Sequence, residues 1–120
     1  MGISGEIPPS IKNLSSLTVL ALGNNSITGA IPAEIGNLAN LTKLDLFGNQ
    51  LTGDIPATLG NLKDLTQLQL HNNQLAGTIP IELSSLAAIY CDLSNNIGLC
   101  RHANLTGRCF QNVPGSETFT

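Results

Sequence analysis

The chain has 120 residues, enough for one domain, and 42 % of them are hydrophobic while only 11 % are charged, so it can bury a core. Its net charge is −3 and its five basic residues are scattered, which argues against a phosphate-binding surface. No apolar run approaches the roughly 18 residues of a membrane span. The start, MGISGEIPPS, lacks the pattern of a signal peptide. We therefore expect no nucleic-acid partner, and no membrane span in this chain.

One residue pattern recurs along the chain at a spacing of 24. A period of roughly 20–29 residues with the form LxxLxLxxNxL identifies leucine-rich repeats. The predicted fold class is α/β, a solenoid in which each coil adds one strand to a parallel sheet. The recurring columns are Gly5, Gly29, Gly53 and Gly77; Ile7, Ile31, Ile55 and Ile79; Pro8, Pro32, Pro56 and Pro80; and Leu14, Leu38, Leu62 and Leu86.

The chain opens in the second half of a repeat. Its SGEIPPSIKNL matches the later TGAIPAEIGNL, and no first-half strand precedes it. A terminal coil without a polar cap shows its interior columns to water, so we expect Ile3, Ile7, Ile11 and Leu14 to be exposed. The strand that follows would be a sheet edge. End-to-end self-association through this uncapped N-terminal coil is therefore expected.

Three full repeats follow, Leu17–Asn40, Leu41–Asp64 and Leu65–Ala88. In each, Leu residues alternate along a short strand and point inward, while their neighbours point to the outer, concave face. Gly then supplies the unusual backbone angles of a turn, and Pro stops helix propagation. The remaining residues allow only a short 3₁₀ or helical turn on the convex side.

A column of Asn residues marks the point where the chain leaves each strand. These amides can bond the backbone of adjacent coils and form a buried polar ladder that repetition satisfies. We predict this structural role for Asn25, Asn49, Asn73 and Asn96.

The residues that alternate with the inward Leu side chains are the candidate functional residues, because the sheet gathers them on one surface. Three of them bring rings to this surface, and aromatic side chains are where interface energy concentrates. We expect a protein or peptide ligand here. The predicted partner-binding residues are Lys43, Asp45, Phe47, Gln67, Gln69, His71, Tyr90 and Asp92.

The repeat pattern ends after Asn96, where Gly98 replaces the expected Leu. We therefore divide the chain into leucine-rich repeats over residues 1–97 and a C-terminal cap with a polar tail over residues 98–120. Cys91 occupies an inward Leu position on the last strand, so we interpret it as a buried free thiol that behaves as a small hydrophobe.

The segment LTGDIPATLGNL resembles the plant-type leucine-rich repeats of receptor-like kinases, receptor-like proteins and polygalacturonase-inhibiting proteins, a resemblance that covers residues 5–97. It implies a right-handed solenoid with its parallel sheet on the concave face, a second short strand near Gly-x-Ile-Pro, and a ligand-binding role. LTGDIPATLGNLKDL and VPGSETFT look most like somatic embryogenesis receptor kinase ectodomains. The chain would then be a fragment or short form of a receptor or co-receptor ectodomain, with a receptor kinase ectodomain as a candidate partner.

The cysteines and sequons point to the compartment of the parent protein. Cys100 and Cys109 resemble the paired cysteines of the family's C-terminal cap, so the resemblance implies a disulfide between them in an oxidising compartment. The chain also has four sequons, which favour a glycosylated protein. They begin at Asn13, Asn24, Asn40 and Asn104. An extracellular or cell-surface parent protein is expected.

No catalytic site, metal site or cofactor is predicted. The chain has two His residues, and its carboxylates are spaced by whole coils, so no acid–base pair converges on a pocket. Cys100, Cys109 and His102 without a second motif do not make a zinc site.

Two alternative functions stay open. Plant leucine-rich-repeat antifreeze proteins share this 24-residue framework, and Thr18, Thr42 and Thr66 form a column of hydroxyls, which is compatible with ice binding. A defence protein similar to the polygalacturonase inhibitors is the other alternative.

Overall fold

Each full coil of the chain contributes one strand to each of two parallel sheets. The structure, a computed structural model, describes residues 2–86, 90–101, 105 and 110. The strands are β1 (Ser4–Glu6), β2 (Val19–Ala21), β3 (Ser26–Ala30), β4 (Lys43–Asp45), β5 (Gln50–Gly53), β6 (Gln67–Gln69), β7 (Gln74–Ile79), β8 (Tyr90–Asp92) and β9 (Gly98–Arg101). The 3₁₀ helices are η1 (Pro9–Asn13), η2 (Ala33–Asn37), η3 (Ala57–Asn61) and η4 (Ile81–Ser85).

The two sheets run along the whole stack. A five-stranded sheet has the order β1-β3-β5-β7-β9, and a four-stranded sheet has the order β2-β4-β6-β8. Neighbouring strands are parallel and come from successive coils. The predicted solenoid of parallel strands and short 3₁₀ turns is confirmed. Strand β9 lies in the segment that the sequence predicts as a C-terminal cap, and it pairs with β7.

The Gly and Pro columns shape the passage from the five-stranded sheet to the 3₁₀ helices. Gly29, Gly53 and Gly77 have φ of 80, 78 and 88°, a region that side-chain-bearing residues rarely adopt. Pro32 and Pro56 then cap η2 and η3 in an extended conformation, with φ of −70 and −67°. The repeat signature is therefore local backbone chemistry that is used again in each coil.

Stacked aliphatic side chains fill the interior between the sheets. Leu44 and Leu68 face each other on β4 and β6 and are 0 % exposed. On the 3₁₀ side, Leu38 and Leu62 are also 0 % exposed. Each interior coil buries its Leu side chains between the coils on either side of it, as expected for a repeat solenoid.

The N-terminal end of the stack is only partly covered. Ile3 and Leu14 are 51 and 53 % exposed, and Val19 at the start of β2 is 46 % exposed. The expectation that Ile7 is exposed is wrong, because Ile7 is 7 % exposed and belongs to the core cluster. Its side chain packs inward against the second coil, and Ile11 is half-buried beside that core.

The C-terminal end, by contrast, is closed. Leu99 and Cys100 on β9 are 1 and 0 % exposed, and Leu105 and Phe110 are 0 and 3 % exposed. These side chains join the same core cluster as the repeats or lie buried beside it. The last coil is therefore covered by residues that follow it in the chain.

Candidate functional site

The four-stranded sheet brings the predicted partner-binding residues into rows. One row runs Val19, Lys43, Gln67 and Tyr90 across β2, β4, β6 and β8. The next row runs Ala21, Asp45, Gln69 and Asp92 across the same strands. A third set follows two residues further along, after each strand, at Gly23, Phe47, His71 and Ser94. We call residues 43–47, 67–71 and 90–94 the sheet patch.

Exposure differs among the members of the sheet patch. Tyr90 is 53 % exposed, while Lys43, Gln67 and Gln69 are half-buried. The expectation that Asp45 faces the solvent is wrong, because it is 8 % exposed. Its carboxylate lies beside the Phe47 backbone, whose N–H donates to Asp45 Oδ1 over 3.5 Å.

A stacked pair of rings lies at the centre of the sheet patch. The Phe47 and His71 ring centroids are 4.8 Å apart, and the ring planes differ by 3°. Gly23 leaves room for the Phe47 ring, since a Cβ at Gly23 would come within 2.5 Å of Phe47 Cε1. The absence of a side chain at Gly23 thus allows the Phe47 ring, one coil further on, to lie flat. The Phe47–His71 pair gains stacking energy in addition to the burial of its apolar area.

His71 connects this stack to a polar group on the last coil. His71 Nδ1 lies 3.6 Å from Asp92 Oδ2, and no hydrogen-bond partner for this buried nitrogen is found among the described residues. Asp92 Oδ1 accepts hydrogen bonds from Ser94 N at 2.9 Å and from Ser94 Oγ at 2.6 Å. Burial raises the pKa of Asp92, but the Ser94 hydrogen bonds and the nearby His71 together lower it below its usual value.

The Asn column holds the backbone beneath the sheet patch. Asn49 Nδ2 donates to the Phe47 carbonyl at 3.2 Å, and Asn73 Nδ2 donates to the His71 carbonyl at 3.3 Å. Asn96 makes the equivalent bond to Ser94, and Asn25 bonds the Gly23 carbonyl in the first coil. The same amides reach the preceding coil, so the ladder fixes both the spacing of the coils and the path of the backbone that carries the rings.

The hydroxyl column considered for ice binding has another role. Thr42 Oγ1 donates to the Thr18 carbonyl at 3.0 Å, and Thr66 Oγ1 donates to the Thr42 carbonyl at 3.1 Å. These two hydroxyl protons are therefore used between coils. They are not offered to the solvent as a regular array.

The cysteine predictions are wrong in two respects. Cys91 is disulfide-bonded, although the sequence predicts a free thiol there. Cys100 is free and 0 % exposed, although the resemblance implies a disulfide with Cys109. Cys91 does occupy the Leu column, opposite Leu68, but it lies on edge strand β8 and is only half-buried, whereas Cys100 is enclosed in the core. Cys109 lies outside the described residues.

Three of the predicted sequon residues, Asn13, Asn24 and Asn40, are exposed, and Asn104 lies outside the described residues. Among the residues that the structure describes, no group of three His, Cys, Asp or Glu side chains is placed to hold a metal ion. In the same part of the chain, no helix has the length and apolarity that crossing a membrane requires.

Two family profiles match the repeats. One, described as leucine rich repeat, matches residues 8–51, and the other, described as leucine rich repeats in two copies, matches residues 39–98. The second spans 60 of the 120 residues. The chain belongs to the leucine-rich repeat family. No curated protein sequence matches it.

Solved structures of plant leucine-rich repeat proteins are similar to this chain. The ectodomain of the membrane receptor kinase GASSHO1/SCHENGEN3 from Arabidopsis thaliana, solved with CASPARIAN STRIP INTEGRITY FACTOR 2, is 44 % identical with a TM-score of 0.76, covering 82 % of this chain and 12 % of that one. A chain of the Arabidopsis thaliana BIR3–SERK2 complex is 36 % identical with a TM-score of 0.73, covering 89 % and 60 %.

A plant ice-binding protein is also similar, at 32 % identity and a TM-score of 0.71, with coverage of 91 % of this chain and 35 % of that one. The repeats are thus of the plant type. The chain spans less than two thirds of the length of each of these three proteins.

Proposed function

We propose that this leucine-rich repeat chain is a non-catalytic module that binds a protein or a peptide through the sheet patch. The observation that carries the proposal is the stacked Phe47–His71 pair next to the exposed Tyr90 ring. Aromatic side chains at the centre of an interface supply much of its binding energy. Support also comes from the similar structures, two of which are complexes with another protein or peptide factor.

The sheet patch suits a partner because much of it is fixed before binding. The Phe47 ring lies over Gly23 and stacks on the His71 ring. The backbone carbonyls of Phe47 and His71 accept hydrogen bonds from the Asn ladder. Ordering a mobile side chain at an interface costs about 0.5–1.5 kcal/mol. Rings that are already ordered avoid most of this cost.

The proposal includes the setting of the parent protein. Its similar structures include receptor ectodomains, so we place this chain in a receptor or co-receptor ectodomain outside the cell. The repeats over residues 1–97 would bind the partner, with residues 98–120 as their cap and tail. N-glycans at Asn13, Asn24, Asn40 and Asn104 belong to the same proposal.

A displayed library of random peptides tests the proposal. Peptides selected on the wild-type chain should lose at least about tenfold in affinity for Phe47→Ala and for His71→Ala, as expected for central interface residues. Thr28→Ala and Gln50→Ala, at exposed positions of the five-stranded sheet, are matched controls and should bind normally. If Phe47→Ala keeps full affinity while circular dichroism shows an intact fold, the sheet patch is not the binding surface.

Ice binding is the second candidate, favoured by the similarity to a plant ice-binding protein. The column of Thr hydroxyls gives ice binding little support, because the Thr42 and Thr66 hydroxyls donate to backbone carbonyls of the preceding coil. An ice-recrystallisation assay separates the two functions, because a peptide-binding module should leave crystal growth unchanged at every protein concentration.

A further inference from the structure

The sheet patch carries more negative than positive charge, and its negative charge lies in one row. Asp45 on β4 and Asp92 on β8 lie on either side of Gln69 on β6. Lys43 is the only Lys or Arg of the sheet patch, and it lies in the neighbouring row. Two Asp and one Lys give the sheet patch a net charge of −1 when its His is neutral.

The two carboxylates of this row lack a cationic partner in the described part of the chain, where neither Asp45 nor Asp92 forms an ion pair with a Lys or Arg. Asp45 is 8 % exposed, and its one side-chain hydrogen bond among the described residues is the long contact from the Phe47 N–H, at 3.5 Å. A buried carboxylate without a charged or well-aligned donor is costly. A cation that a partner brought to this row would remove that cost.

His71 adds a further acceptor beside the row. Its Nδ1 is buried and lies 3.6 Å from Asp92 Oδ2. In a neutral imidazole one nitrogen is the donor and the other the acceptor, and a nearby carboxylate favours the proton on the nitrogen that faces it. With the proton on Nδ1, Nε2 keeps a free lone pair, and the His71 side chain is 19 % exposed. His71 and the two carboxylates thus offer acceptors to a partner, which must supply the donors.

We propose that the sheet patch binds its partner through a basic side chain, an arginine of a protein or peptide, which lies over Gln69 between Asp45 and Asp92. Neighbouring strands are about 4.8 Å apart, so two strand spacings separate the carboxylates by about 10 Å. An arginine has five N–H donors in one plane and can bond acceptors on both of its sides. This inference rests on the proposed function and specifies the chemistry of the partner.

The aromatic side chains of the sheet patch suit the same occupant. Tyr90 lies two residues before Asp92 on β8, so both side chains are on one face of the strand, and Tyr90 is exposed. A guanidinium is attracted to the face of an aromatic ring. An arginine that is held by Asp92 can therefore also stack on Tyr90, while apolar parts of the partner cover the Phe47–His71 pair.

An acidic partner has less support from the sheet patch. Lys43 is its one basic group, and the Lys43 side chain is half-buried. A carboxylate of the partner that lay over Gln69 would have Asp45 on one side and Asp92 on the other. Like charges placed together at an interface disfavour binding. The charge of the row therefore favours a basic partner.

Two displayed peptide libraries, one random and one that lacks Arg and Lys, test the chemistry of the partner. The random library should return peptides that are enriched in Arg and lose affinity for Phe47→Ala. The restricted library should return no peptide within about tenfold of their affinity. If both libraries give equally tight peptides that lose affinity for Phe47→Ala, the sheet patch binds peptides but the inference is overturned. If neither library gives such a peptide, the proposed function fails and the inference fails with it.

Substitution of one carboxylate tests the contact itself, with the tightest peptide from the random library as the probe. Asp92→Asn should raise Kd at least about tenfold, as expected when a hydrogen bond between two charged groups is lost. Asn keeps an oxygen that can accept from Ser94, so the fold should stay intact, which circular dichroism checks. Asp54→Asn, at an exposed position after β5, is the matched control and should leave Kd unchanged. An unchanged Kd for Asp92→Asn would overturn the proposal.

A second peptide, in which citrulline replaces the arginine, separates a direct contact from an indirect effect. Citrulline keeps the length and the planar end of arginine but carries no charge. If Asp92 contacts the arginine, Asp92→Asn should weaken binding of the arginine peptide at least about fivefold more than binding of the citrulline peptide. Equal weakening for the two peptides would show that Asp92 acts only on the structure of the sheet patch and would contradict the proposal.

Discussion

The first coil, which we take as residues 2–25, and the interior coils place the same kinds of residue in different surroundings. In one column, Leu14 is 53 % exposed while Leu38 and Leu62 are 0 % exposed. In the strand column, Leu20 is 8 % exposed and Leu44 is 0 % exposed. The residue type is constant, so the difference comes from the neighbouring coil alone. Each coil of this chain is buried by its neighbours and not by itself.

The two edges of the four-stranded sheet differ in a similar way. On β2 the outward residues are Val19 and Ala21, which carry no polar group in their side chains. On β8 the Asp92 carboxylate accepts two hydrogen bonds from Ser94 and lies near His71 of the preceding coil. The first edge is apolar and exposed, whereas the last carries a carboxylate whose Oδ2 lies 3.6 Å from His71 Nδ1 of the preceding coil.

The largest expected effect comes from comparing Leu→Ala substitutions in one column, in an interior coil and in the first coil. Leu38→Ala should lower the free energy of unfolding by about 2–5 kcal/mol, because it leaves a cavity in a filled layer. Leu14→Ala should lower it by less than about 1 kcal/mol, since half of that side chain is already in water. Urea unfolding measures both free energies.

Equal losses for the two variants would show that the first coil is as well covered as the second in solution. The comparison within one column controls for residue type, since the same Leu is shortened to the same Ala.

The repeated parts of the fold could be predicted from the sequence, because the period specifies them several times over. Leu44 and Leu68 are in equivalent places on their strands, and Gly29 and Gly53 have the same positive φ. Repetition turns a weak local preference into a firm prediction. The prediction that Ile7 is exposed is wrong although its column is buried throughout, because the period shows that Ile7 points inward but does not show how far one neighbouring coil covers it.

The site could be predicted only as a surface. Alternation along the strands placed Phe47 and His71 on one face, and their spacing of 24 would have indicated the stack between them. A Cβ at Gly23 would lie 3.0 Å from Asp45 Oδ1, so Asp45 lies close to the preceding coil, and alternation along a single strand does not describe that proximity. The free state of Cys100 and the bonded state of Cys91 depend on the path of the chain after the last repeat, where no period applies.

A second, smaller difference between coils is expected for the Asn ladder. Asn73 Nδ2 donates to three backbone carbonyls, and its Oδ1 accepts from Leu51 N at 3.0 Å. Asn73→Ala would leave the buried Leu51 N–H without its acceptor, at about 1–3 kcal/mol for such a group, while the His71 carbonyl keeps the Gly48 N–H as a donor. A loss of roughly 2–3 kcal/mol is therefore expected. Asn25→Ala should cost less than about 1 kcal/mol, because Asn25 is half-buried and water can replace its bonds.

Thermal or urea unfolding measures both Asn variants. Amide hydrogen exchange adds a local test, because the Leu51 N–H should lose protection in Asn73→Ala while amides of β2 keep theirs. If Asn25→Ala lost as much free energy of unfolding as Asn73→Ala, Asn25 would be as well shielded from water as Asn73.

The smallest expected effect concerns the edge at β8 and its dependence on pH. The pKa of Asp92 is lowered in the folded chain: burial raises it, but the Ser94 hydrogen bonds and His71 outweigh that effect. A carboxyl group with a lowered folded pKa stabilises the fold above its unfolded pKa, and this contribution is lost as the pH falls through the folded pKa. Asp92→Asn should therefore be less stable than the wild type at pH 7 by less than about 1 kcal/mol, as for a group near the surface. The difference should narrow below about pH 4, where the ordinary carboxyl begins to bind its proton. Urea unfolding of both chains at pH 7, 5, 4 and 3 measures this convergence, with Asp54→Asn, an exposed carboxyl position on another coil, as the matched control. If the difference in the free energy of unfolding between Asp92→Asn and the wild type stayed constant down to pH 3, the charge of Asp92 would not stabilise the edge at β8.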